Sequence, residues 1–242
     1  MLLNCDLAEG ADYDARILPW IDQANIACGL HAGSAPIMRT TLRLARENGV
    51  EVGAHPGYPD RENFGRTHLD LPAGELEAWL FYQIGALDAL ARAEGVAIRY
   101  IKPHGALYND MMRDPEIFET IVRVVHAHNP DLRLMMLALP DPEPFRTIAS
   151  AWEIGTIGEL FADRNYSAEG RLLPRTHPEA LIRDPEAIEQ RIAHYLERGE
   201  WLSVDGRPLP LHGYSLCVHG DNPQALEIVQ RLRPLLHPDT AP

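Results

Sequence analysis

The chain reads as an α/β protein: a single closed or nearly closed barrel built from seven β/α units with a parallel sheet. Two observations predict the barrel. Short apolar runs of strand length alternate with helix-patterned segments along all 242 residues, and no break in composition divides them. A third observation places a site on it, because histidines recur where those runs end. The expected organisation is one domain over 1–242 with two excursions, at about 163–183 and 201–213.

The first run is "LLNCD" and the second "ANIAC". Ser34 then stands where an N-cap belongs, before Met38, Leu42 and Ala45 at helical spacing, and Gly49 stops that helix. "VEVGA" is the third strand. The longest helix runs from about Pro72 to Glu94, with Leu76, Leu80, Ile84, Leu87 and Ala91 on one face and Gly95 after it. "AIRYI" follows. "RDPE" at Arg113–Glu116 gives an Asp N-cap, a proline at the first helical position and an acid in the first turn, ahead of Ile117, Ile121 and Val125. "LRLMMLA" and "IGELFA" are the fifth and sixth strands. The stretch Asp163–Arg183, "DRNYSAEGRLLPRTHPEALIR", then breaks the rhythm and is a candidate lid. A second "RDPE", at Arg183–Glu186, starts a helix carrying Ile188 and Ile192. "WLSVDGRPLPL" reads as a small hairpin around Asp205 and Gly206. "YSLCV" is the last strand, and "DNP" at Asp221–Pro223 opens a final helix with Leu226, Val229, Leu232 and Leu236 on one face.

Composition narrows the function. A net charge of −13 argues against nucleic acid or an anionic membrane surface as the main partner. No apolar run reaches membrane-spanning length and "MLLNCDLAEG" is unlike a signal peptide, so a cytoplasmic protein is expected. Cys5, Cys28 and Cys217 lie unpaired in apolar runs and read as core thiols of a reducing compartment.

His31 follows the second strand, His55 the third, His104 the fourth and His219 the last, each with a glycine within two residues. In parallel α/β folds the C-terminal ends of strands line the site, and glycine there permits close backbone approach. Asp6 and Glu159 add carboxylates to the same rim. Of the 22 basic residues only Lys102 is lysine, and it lies two residues from His104. An ammonium is compact and can lose its proton on desolvation, as a guanidinium cannot. The sequence holds no P-loop, no G-x-S-x-G elbow, no H-E-x-x-H and no C-x-x-C. What remains is acid–base hydrolysis by carboxylate, imidazole and ammonium, with or without a divalent metal held by Asp6 and two histidines. The alternative is that the histidines only grip an acidic ligand.

The motifs "NCDLAEG", "ANIACGLHAG", "VGAHPGYPD", "NFGR", "IKPHGALYN", "ELFADRNY" and "LCVHGDNP" resemble, in order from Asn4 to Pro223, those of the LamB/YcsF family, the A-subunit family of 5-oxoprolinases. Ala8 and Ser34 depart from the family's usual glycine and aspartate. The resemblance implies a seven-stranded β/α barrel of the glycoside hydrolase/deacetylase-like kind, and ATP-dependent hydrolysis of 5-oxoproline (pyroglutamate) to glutamate together with partner subunits B and C. On that reading the partners bring ATP and phosphorylate the lactam oxygen, and this chain directs water at the activated carbon. Asp6 or His55 is then the general base, while Lys102 and His104 stabilise charge or protonate the leaving nitrogen. Glu9, Asn25, His31, Arg66, Tyr108, Glu159, Asp163, Arg164 and His219 are the candidates for holding substrate. Alanine at His55 or Lys102 is expected to abolish turnover and leave folding intact. A stand-alone metal-dependent deacetylase and a non-enzymatic small-acid-binding protein are the competing expectations.

Overall fold

The computed structural model describes residues 1–238. Seven strands form the expected closed barrel: β1 (Leu2–Leu7), β2 (Gln23–Ala27), β3 (Glu51–His55), β4 (Ile98–Ile101), β5 (Arg133–Leu137), β6 (Gly155–Phe161) and β9 (Ser215–Val218). Each pairs in parallel with its successor, and β9 closes the ring between β6 and β1. Parallel pairing needs a crossover between strands, and helices supply it on the outside. The strands are accordingly buried on both faces, β2 and β9 at every position. The remaining pair, β7 (Trp201–Leu202) and β8 (Pro208–Leu209), is the antiparallel hairpin read around Asp205 and Gly206.

Among the helices, α5 (Pro115–His128) and α7 (Pro185–Arg198) begin as the two "RDPE" stretches require. Asp114 and Asp184 each accept a hydrogen bond from the backbone N–H two residues on. α3 (Ala73–Ala93) spans the long periodic segment and buries Leu76, Leu80, Ile84, Leu87 and Ala91. Two helix starts differ from expectation. Ser34 precedes α2 (Ala35–Glu47) but makes no side-chain capping bond. "DNP" forms a turn in which Asn222 Oδ1 accepts from Gln224 N, so α8 starts later, at Ala225–Leu236. Three helices carry no expectation from the sequence: α1 (Asp14–Ile17), α4 (Gly105–Met111) and α6 (Glu143–Ala151). All are too short for a 3.6-residue apolar period to stand out.

The excursion after β6 lies over the C-terminal mouth of the barrel. Isolated bridges join Arg164 to Leu181 and Tyr166 to Leu172. The buried Arg164 guanidinium braces the segment, donating to Leu173 O at 2.5 Å and Ala180 O at 3.3 Å. Leu172, Pro174, Arg175 and Thr176 thereby become one wall of a cavity whose floor is the strand ends.

Candidate active site

The floor is assembled from Asp6 of β1, Glu159 of β6, Cys217 of β9 and Lys102 just past β4. Lys102, directly after β4, is 2 % exposed. Its Nζ lies 2.7 Å from Asp6 Oδ1, 2.9 Å from Glu159 Oε1 and 3.1 Å from Cys217 Sγ. A lone buried ammonium would shed its proton; here burial pushes its pKa down, but Asp6, Cys217 and Glu159 outweigh that and hold it above the usual lysine value. Asp6 stays well below the usual carboxylate range because Lys102, with His55 and His219, overcomes the effect of burial. Glu159 goes the other way, since burial outweighs Lys102 and raises it. Two carboxylates thus share one ammonium, and their pKa values move in opposite directions.

Beneath them a polar ladder fixes positions. Asn25 Nδ2 donates to both Asp6 Oδ1 and Asn4 Oδ1 at 2.7 Å, and Tyr100 OH donates to Asn25 Oδ1 at 2.7 Å. Asn4 and Tyr108 both donate to Glu159, at 3.0 and 2.8 Å. The cost is that Asp6 Oδ1 and all of Glu159 are committed. Asp6 Oδ2 alone keeps an open side, 3.6 Å from His55 Nε2 at the cavity.

The histidines form a second cluster. His55 Nδ1 lies 2.6 Å from Lys102 O, and His104 Nε2 lies 2.8 Å from Phe64 O. Carbonyls only accept, so these two nitrogens carry protons. The opposite nitrogens, His55 Nε2 and His104 Nδ1, are 2.9 Å apart, and that contact is a hydrogen bond only with one further proton between them. Glu9 Oε1 sits 3.1 Å from His104 Nδ1 and from His31 Nε2 and balances the charge. Its pKa falls because the His104 and His31 bonds outweigh burial. Burial lowers His31 to about 4 and His55 to about 3, so these two rings are neutral near pH 7.

The same four groups, Glu9, His31, His55 and His104, place their ligand atoms within 4.8 Å of one another. Imidazole and carboxylate are zinc-type donors. The carboxylate involved is Glu9, where the sequence points to Asp6. His31 and His104 stack in parallel, centroids 3.8 Å apart and planes 5° from parallel. An imidazole lone pair lies in the ring plane, so one ion at about 2 Å from each nitrogen cannot serve both. As arranged, the cluster offers an ion Glu9, His55 and one of the stacked rings.

The glycines at these strand ends are explained by space. A Cβ on Gly53 would lie 2.1 Å from Tyr100 Cε2 on the adjacent strand, and one on Gly220 would lie 1.8 Å from Asp6 O. Ala8, in place of the family's glycine, adopts φ +61°, the left-handed conformation that glycine takes at least cost.

The cavity of about 330 Å³ is lined by Asp6, His55, Arg66, Lys102, His104, Tyr108, Arg164 and His219 among the residues expected to form the site. Asp163 borders an adjoining cavity and pairs with His219 Nδ1 at 2.8 Å. Glu9, Asn25, His31 and Glu159 do not line the main cavity; they lie behind it and hold those that do. Arg66 pairs with Asp221 and covers the Phe64 ring. Sequence reasoning misses Asn4, Tyr100, Arg113 and Arg175. Asn4 is within its reach, because it lies two residues before Asp6 on one strand and so shares its face. Lys102 also changes one expectation: its removal would strand two buried carboxylates, so folding cannot be indifferent to it.

Fold and site together define a β/α-barrel protein with an acid–base pocket at the C-terminal mouth of its strands. The chain belongs to the LamB/YcsF family, whose model matches residues 1–241. It is 47% identical over 238 residues to the 5-oxoprolinase A subunit of Chromohalobacter salexigens, covering 96% of this chain and 95% of that one. Among solved structures it is similar to the lactam utilization protein from Thermus thermophilus, with a TM-score of 0.89, 36% identity, and 98% and 96% of the two chains covered. A putative cellobiose-phosphate cleavage protein from Enterococcus faecalis shares the fold alone, at a TM-score of 0.55 and 10% identity over 96% of this chain and 89% of that one.

Proposed function

We propose that this chain is the A subunit of an ATP-dependent 5-oxoprolinase, hydrolysing 5-oxo-L-proline to L-glutamate in the cytoplasm with partner subunits B and C, and that 1–242 is one barrel domain. The observation that carries the reading is the pairing of a free carboxylate oxygen, Asp6 Oδ2, with the proton-sharing His55–His104 pair across one cavity, in a chain that matches a named 5-oxoprolinase component over nearly its whole length.

A five-membered lactam is a stabilised amide, and its opening needs both an activated carbonyl and a protonated nitrogen. ATP, bound by the partners, supplies the activation by phosphorylating the lactam oxygen. Asp6 Oδ2 takes a proton from water as its oxygen bonds to the ring carbon. Nitrogen takes the proton shared by His55 and His104 and the C–N bond breaks as the added hydroxyl returns its proton to that same pair, leaving the phosphoryl group on the new carboxyl, where a second water releases phosphate. Lys102 has its contacts filled by Asp6, Glu159 and Cys217, so its part is fixed positive charge beneath the developing anion.

Glutamate release from 5-oxoproline and ATP tests this, with the chain alone, the B and C partners alone, and all three together. Turnover only in the full mixture, lost with His55→Gln, is expected. Turnover by the chain alone, abolished by a chelator, would replace this reading with the stand-alone metal-dependent one.

A further inference from the structure

The protein is strongly acidic, yet its cavity is not. Arg66, Lys102, Arg113, Arg164 and Arg175 line it, and Asp6 is the one carboxylate that does among the described residues. Most of these charges are answered close by. Lys102 is matched by Asp6 and Glu159, and Arg66 by Asp221, while Arg164 stands beside Asp163 and braces carbonyls. Arg113 and Arg175 remain: neither side chain makes a hydrogen bond or ion pair with another described residue.

Arg175 is the better placed of the two. With Arg66 and His219 it borders both the cavity over Lys102 and the adjoining one of about 360 Å³. The guanidinium groups crowd one another there. Arg164 is lowered to about 10, by burial and then by the charge of Arg175, and Arg175 itself is lowered by burial and then by Arg66, although Asp221 and Asp163 at the adjoining cavity pull the other way. Cations held together against their own repulsion favour an anion between them. The single carboxylate of 5-oxoproline would answer only one of them.

We infer that Arg175 is a phosphoryl-binding residue, gripping the phosphoryl group of the activated substrate at the junction of the two cavities. The inference rests on the 5-oxoprolinase reading for the identity of the phosphorylated species, but the anion site itself stands on the lining charges. It also gives the excursion over the barrel mouth a purpose, since that segment carries the guanidinium to the junction.

Calorimetric titration of the full chain tests it, with inorganic phosphate, 3-phosphonopropionate (a stable phosphonate bearing a carboxylate) and 5-oxoproline as probes. Arg175→Ala is expected to weaken phosphonopropionate by about tenfold or more, the worth of one charge-assisted bond, with part recovered in Arg175→Lys. It should change 5-oxoproline by less than about threefold, the smaller effect of a lost long-range charge. Arg198→Ala, an exposed arginine of α7 outside both cavities, should leave all three unchanged. In the full mixture, Arg175→Ala should keep ATP hydrolysis but release less glutamate per ATP. Failure of wild type to bind either phosphorus probe, or equal losses for phosphonopropionate and 5-oxoproline, would overturn the inference. Phosphonate binding that depends on Arg175, with no glutamate from any mixture, would overturn the 5-oxoprolinase reading and leave the anion site standing.

Discussion

Among single residues the site is governed by who shares a charge with whom. Lys102 holds two buried carboxylates that differ in their other neighbours, His55 and His219 for Asp6 against Asn4 and Tyr108 for Glu159, and the ladder from Asn4 through Asn25 to Tyr100 sets which oxygen of Asp6 stays free. Lys102→Met should cost about 3–5 kcal/mol in urea unfolding as well as turnover, because it leaves buried carboxylates without a counter-charge. Adding Glu159→Gln should recover part of the stability and none of the activity. Additive losses would mean that the two side chains do not interact. His55→Gln differs, since a neutral ring is replaced by a neutral amide. It should unfold near the wild-type midpoint while glutamate release disappears.

Between elements, the barrel's mouth depends on close approach of neighbouring strands. Gly53 lies beside Tyr100 in the β3–β4 register, and its missing side chain is the space the ring occupies. Gly53→Ala should therefore destabilise by about 1–3 kcal/mol, the usual cost of overpacking, and Tyr100→Leu in the same chain should return part of it. The helix starts give a matched pair. Asp184 accepts from Glu186 N and Ser34 makes no capping bond, so Asp184→Ala should cost about 1 kcal/mol and Ser34→Ala only a few tenths. Equal losses in thermal unfolding would show that the cap bond at α7 contributes nothing.

Across the molecule as one body, the buried histidines couple stability to pH. His31 and His55 titrate near 4 and 3 in the fold, against 6.5 for an ordinary histidine. The unfolded chain consequently takes up protons below pH 6.5 that the folded chain refuses. Stability should be full above that value and fall by about 1.4 kcal/mol per pH unit for each ring as pH drops toward 4. Urea midpoints at pH 7.5, 6 and 5 measure it, and His31→Gln should remove one ring's share of the slope. No helix among the described residues is long and apolar enough to cross a membrane.

Local periodicity, turn chemistry and the convergence of strand ends in parallel barrels were enough to read out the barrel, its strands, and the gathering of four histidines, Asp6 and Lys102 at one end. The same order of residues carries the motifs by which the family is recognised. Other features exist only in three dimensions. Which way Asp6 and Glu159 shift depends on burial and on which cations stand beside each, which oxygen of Asp6 is free depends on a ladder drawn from three strands, and the tautomers of His55 and His104 depend on carbonyls of other segments. Arg175 shows the limit most plainly. Nothing in "LLPRTHP" marks it, because its neighbours in space, Arg66 and His219, are far from it along the chain. Electrostatic roles are set by distance and solvent exclusion, and neither is a property of sequence order.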